Sequence, residues 1–115
     1  MNLIILTFGN NLENYYQSIF SIMSFLKDNN IKRVIVITEQ PEIYKIFQDY
    51  IHIISINNKI IKEWKGEADY LFRIKIKALE KVQKNYPDNH ILFVDTDTFL
   101  YSSLDGMYSK LENNE

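Results

Sequence analysis

Asp95 and Asp97 stand one residue apart, directly after an unbroken apolar run of Ile91, Leu92, Phe93 and Val94. Two carboxylates at that spacing repel each other unless a cation lies near both. Hard divalent ions such as Mg²⁺ and Mn²⁺ take such oxygens readily and keep waters and phosphate oxygens as their other ligands. The apolar run, preceded by Pro87, Asp88 and Asn89, reads as a strand buried on both faces. In an open parallel sheet ligands sit outside the carboxyl ends of the strands, which puts the pair on the rim of such a crevice. The competing reading is that both aspartates cap the turn that follows.

Composition narrows the alternatives. At 115 residues and 46% hydrophobic content the chain supplies one globular domain with a single core. A net charge of -2 offers no basic excess to neutralise phosphates, so nucleic acid is not an expected partner. Without cysteine there is neither a disulfide frame nor a thiolate zinc site, which fits a reducing, cytoplasmic setting. Residues 1–6 lack a basic n-region and are too short for a signal or membrane segment, and they read as a first strand. The three glycines, at 9, 66 and 106, are scattered, so there is no glycine-rich phosphate loop, and no Ser/His/Asp constellation stands out.

The elements that must position the carboxylates follow from periodicity. Residues 3–6 form an apolar run closed by Thr7, Phe8, Gly9 and Asn10. Leu12, Tyr15, Tyr16, Ile19, Met23 and Leu26 fall at helical spacing, with Asn10 or Asn11 as N-cap. Residues 33–38 are β-branched and short, a second buried strand, and Pro41 starts a helix with Ile43, Tyr44 and Phe47 facing inward. Residues 52–56 make a third, weaker strand suited to an edge, with His52 and Ser55 interrupting it. Residues 57–67 read as a long connection with at most a turn of helix; Trp64 there either pins the connection to the core or offers a platform for a sugar or base. Residues 68–86 form a helix with Leu71, Ile74, Ala78, Leu79, Val82 and Tyr86 on one face, and residues 101–114 suggest a turn and a short helix.

Strand and helix alternate throughout, which predicts an α/β fold, a Rossmann-like three-layer sandwich with a mainly parallel sheet. The third crossover is by far the longest, as required of a chain that returns over the sheet. It predicts strand order 3-2-1-4, with a topological switch between strands one and four. Residues 7–10 and 95–98 are then expected to face each other.

A strand followed by Asp-x-Asp also opens phosphatases of the haloacid-dehalogenase type, whose pattern is Asp-x-Asp-Gly-Thr. Thr98 and Phe99 replace the last two positions here, and the motif comes late instead of on the first strand. The whole chain better resembles the N-terminal, nucleotide-sugar-binding part of a GT-A type glycosyltransferase. Phe93-Val94-Asp95-Thr96-Asp97-Thr98 matches that family's Asp-x-Asp strand end, and residues 68–79 are similar to the helix that precedes it. The resemblance implies Mn²⁺ or Mg²⁺ held by Asp95 and Asp97 against the diphosphate of a nucleotide sugar, with an unidentified saccharide, lipid or protein as acceptor. It further implies donor contacts from Thr7, Phe8, Gly9, Asn10, Arg73, Lys75, Lys77 and Thr96. Family members continue well past the motif, so the 115 residues are expected to form a single donor-binding domain, the N-terminal part of a longer enzyme. A catalytically silent nucleotide-sugar-binding module is the alternative.

Among these residues, Arg73 and Lys77 form an i, i+4 pair, whereas Lys75 falls among apolar positions, where an unpaired cation would be costly. A diphosphate or an aspartate is the expected partner. Phe8 suits either a stacking platform or the core. His52 and His90 lie at strand starts, away from the rim, and neither is expected to bind metal.

Overall fold

A computed structural model of the chain describes residues 1–67, 71–87 and 90–96. The apolar runs become four strands: β1 (Asn2–Thr7), β2 (Arg33–Thr38), β3 (His52–Ser55) and β4 (Ile91–Phe93). They form one parallel sheet in the order β3-β2-β1-β4, the predicted arrangement with β1 inside it. Ile4 pairs on both sides, opposite Ile35 of β2 and Phe93 of β4.

Alternation along the inner strands builds a core on each face. Leu3, Ile5, Val34 and Val36 join Tyr15, Ile22 and Phe25 of helix α1 (Leu12–Phe25) and Tyr44 of a 3₁₀ helix (Pro41–Phe47). Ile4, Ile35 and Ile37 join Ile61 of α2 (Asn58–Lys65) and Ile74, Ala78 and Val82 of α3 (Leu71–Asn85). Each large aliphatic side chain buried this way contributes about 1.5–3 kcal/mol. With helices on both faces of the sheet, the three-layer α/β class is as predicted.

Several local expectations change. β4 is not buried on both faces: it lies at the edge of the described sheet, and Ile91, Leu92 and Phe93 are only half-buried. The inward row of α1 is Tyr15, Ser18, Ile22 and Phe25, so Leu12, Tyr16 and Met23 point outward. Two hydroxyls cause that rotation. Ser18 can enter the core because its Oγ bonds to the Tyr15 carbonyl and lies 2.6 Å from the Tyr44 hydroxyl. Of the two expected N-cap candidates, Asn11 takes the position, its side chain accepting from the Glu13 amide.

The segment after Pro41 is a 3₁₀ helix, and Tyr44 is its one fully buried residue. Residues 58–65 are a helix of eight residues, where a long connection with at most a turn of helix was expected. Asn57 caps it by accepting from the Ile60 amide, and Ile60, Ile61 and Trp64 supply its apolar face. Lys75 is exposed and lies off the apolar row of α3, so it carries no burial cost. Residues 68–70, expected to begin that helix, and 101–114 lie outside the described residues, as do Asp97 and Thr98. No helix among the described residues is long and apolar enough to cross a membrane.

Candidate functional site

The sheet changes direction of growth at β1. From β1 the chain passes over one face through α1 to β2, and β4 returns to the other side of β1 by way of α2 and α3. Such a reversal leaves the strand ends uncovered between the two helical layers. A cleft of about 430 Å³ lies there, within the size range of small-molecule sites. Leu6, Thr7 and Phe8 from the end of β1 form one wall, and Phe93, Val94, Asp95 and Thr96 from the end of β4 form another. Asn14 and Gln17 of α1 and Lys75 of α3 complete it.

Lys75 and Asp95 define the electrostatics of the mouth. Nζ of Lys75 lies 3.5 Å from Oδ1 of Asp95, with 47% and 69% of the two side chains exposed. An ion pair so open to water contributes about 1 kcal/mol or less, so either partner is released cheaply to a stronger ligand. Lys75 Nζ also lies 6.0 Å from the centroid of the Phe93 ring, at the outer limit of a cation-π contact.

Below the mouth the loop after β1 is held from several sides. Gly9 takes a φ of 89°, open to glycine at no steric cost. Its amide donates to Glu39 Oε1, and its carbonyl accepts from the Tyr15 hydroxyl at 2.7 Å and from Gln40 Nε2 at 3.4 Å. Deeper still, Thr7 Oγ1 donates to Thr38 Oγ1 at 2.8 Å and lies 3.0 Å from the Tyr44 hydroxyl, which also meets Ser18. Burial pushes the Tyr44 hydroxyl above its ordinary range, with its hydrogen-bond partners opposing. Burial and then the Glu39 charge do the same at Tyr15.

The predicted site residues divide. Thr7, Phe8, Lys75, Asp95 and Thr96 come together in the cleft. Thr7 commits its hydroxyl to the buried network, and Phe8 both lines the cleft and packs on the core. Gly9 and Asn10 continue the same loop without lining the cleft, Gly9 shaping the turn and Asn10 exposed. Arg73 lies over the end of α2: a Cβ at Gly66 would stand 3.1 Å from its Nε. Lys77 pairs with Glu80 at 3.4 Å and does not line the cleft. Asp97, the second predicted metal ligand, is outside the described residues. Trp64 packs on the core from α2, and His52 stacks edge-on with Tyr86.

Sequence reasoning missed Asn14, Gln17, Glu39, Gln40 and the loop-holding role of Tyr15. The signal available for the first two was their i, i+3 spacing, beside the loop and off the apolar row.

A divalent ion shared with a phosphate needs only one or two protein carboxylates. Asp95, exposed at the cleft mouth, suits one such position by the hardness of its oxygens. Among the described residues no group of three or more His, Cys, Asp or Glu could cage an ion by itself, so an ion here would draw on water and ligand oxygens. No family model, no curated protein and no solved structure matches this chain.

Proposed function

We propose that the cleft is the donor site of a glycosyltransferase, binding a nucleoside diphosphate sugar for transfer to a saccharide, lipid or protein acceptor. The observation that carries this reading is the meeting of Lys75 and Asp95 at a small-molecule-sized cleft on the strand-order reversal. Their exposed ion pair is weak enough to exchange: Lys75 would turn to the diphosphate, and Asp95 would then be available as a ligand to a divalent cation. The base and ribose lie along Phe8, Asn14 and Gln17, where one ring and two amides supply stacking and hydrogen bonds. Asp95 would supply one carboxylate to Mn²⁺ or Mg²⁺, with Asp97, two residues on in sequence, as the second; the ion would supply positive charge to offset that of the leaving diphosphate.

The chain's own contribution is preorganisation. The Glu39, Tyr15 and Gln40 contacts fix the Gly9 turn, and the Thr7-Thr38-Tyr44-Ser18 network anchors the strand end beneath it. A wall held this way loses little entropy when a ligand docks. We assign the enzyme to the cytoplasm, where a cysteine-free chain needs no oxidising environment.

A thermal-shift screen of nucleosides, nucleoside diphosphates and nucleotide sugars, each in Mn²⁺ and in EDTA, tests the proposal, because a ligand that binds only the folded state raises its stability by mass action. Stabilisation by a diphosphate that strengthens with Mn²⁺ supports it. No shift from any nucleotide would remove the donor site.

A further inference from the structure

We infer that the outer face of α1 is a self-association surface on which two copies of this chain pair antiparallel about a two-fold axis. Seven large hydrophobic residues are recorded as exposed among those described, and four of them, Leu12, Tyr16, Phe20 and Met23, lie on this one helix. Their spacing of four, four and three residues aligns them in a single row along α1. They are 50%, 55%, 62% and 47% exposed, in that order. Glu13 is the only charged residue between Leu12 and Phe25. A helix on the surface of a globular domain normally turns its charges outward and its apolar stripe inward. This one has a second apolar stripe facing away from the sheet, while Tyr15, Ile22 and Phe25 fill the first.

The order of the row favours a second copy as its occupant. Read in either direction it runs flexible aliphatic or thioether, aromatic, aromatic, flexible aliphatic or thioether. An antiparallel copy therefore sets Tyr16 against the second Phe20 near the axis, with Leu12 and Met23 meeting on the flanks. Such an interface is isologous and closes on itself, as most dimers do. The row carries no cation or anion that a charged partner would complement. Each of the four side chains, about half exposed or more, offers about 100 Å², so the four residues from each of two copies remove about 800 Å² from water. With a polar rim that reaches the roughly 1,200 Å² where stable interfaces begin. Asn14 and Gln17, on neighbouring rows, stay with the cleft, so pairing does not compete with ligand.

Sedimentation equilibrium from low to high micromolar concentration tests the inference. The unsubstituted chain should show a dimer, and Phe20→Glu, which sets two like charges beside the axis, should weaken it by at least about tenfold. Circular dichroism of Phe20→Glu should show an intact fold, since the side chain is exposed; if it does not fold, Tyr16→Ser serves in its place. Because the chain has no cysteine, single-cysteine variants report geometry directly. A mixture of Leu12→Cys and Met23→Cys should cross-link with a short bifunctional maleimide, and Leu12→Cys alone should not. A monomer at every concentration, whether residues 97–115 or nothing covers the row, overturns the inference. So does a dimer indifferent to both substitutions, or cross-linking of Leu12→Cys with itself.

Discussion

Lys75 Nζ and Asp95 Oδ1 meet at 3.5 Å, tying α3 to the end of β4 across twenty residues of chain. Both side chains are open to water, so the contact adds little to folding and leaves the cation available to ligand. Lys75→Ala should therefore lower unfolding stability by less than about 1 kcal/mol. It should weaken nucleoside diphosphate binding by about tenfold, roughly 1.4 kcal/mol, and leave nucleoside binding unchanged. Lys77→Ala is the control: its Nζ lies beside Glu80, and titration calorimetry should find nucleotide affinity unaltered.

Tyr44 gives the converse case, a polar group that matters to folding. Its hydroxyl contacts Thr7 and Ser18 in a fully buried setting. Tyr44→Phe removes one contact from each hydroxyl while Thr7 keeps Thr38 and Ser18 keeps the Tyr15 carbonyl, so it should cost about 0.5–1.5 kcal/mol in denaturant unfolding.

The same hydroxyl predicts an alkaline limit. Burial raises Tyr44 above its unfolded value of 10.0, and Tyr15 is raised too, first by burial and then by Glu39. Above pH 10 the unfolded chain then releases phenolic protons that the folded chain retains, so stability falls as pH rises. Below pH 10 their contribution is intact. Urea midpoints measured on both sides of that pH should fall less steeply in Tyr44→Phe than in the unsubstituted chain.

Gly9→Ala isolates the turn. A Cβ there would meet no atom within 4 Å, so any loss comes from the backbone at φ 89° alone. The expected cost is about 1–2 kcal/mol. Nucleotide affinity should fall with it, because the loop that Glu39 and Tyr15 fix adjoins Phe8 in the cleft wall. Unchanged stability in a thermal melt would show that the turn relaxes freely.

The sheet order was legible because crossover length is a long-range signal carried by the chain itself: the longest connection had to be the one that returned past β1. The meeting of residues 7–8 with 95–96 followed from it. Side-chain direction was less accessible. Tyr15 and Tyr16 are equivalent in hydropathy, and only the buried hydroxyls of Ser18 and Tyr44 decide which one enters the core. The half-exposure of Phe93 was hidden for a related reason, since four apolar residues in a row look the same in a central strand and at an edge. Arg73 and Lys77 share helical spacing with Lys75's neighbourhood, but rotation about α3 sends only Lys75 to the cleft.

Calorimetric titration of UDP and GDP, in Mn²⁺ and in EDTA, into the unsubstituted chain, Asp95→Asn and Asp97→Asn tests the central claim most directly. Asparagine keeps the shape and removes the charge, so metal-dependent affinity should drop by at least about tenfold in each variant. Apo melting temperatures should change little, because Asp95 is exposed and its open ion pair with Lys75 contributes about 1 kcal/mol or less. If either substitution destabilises the apo domain while nucleotide binding is untouched, the acidic pair is scaffolding and the donor-site account is contradicted.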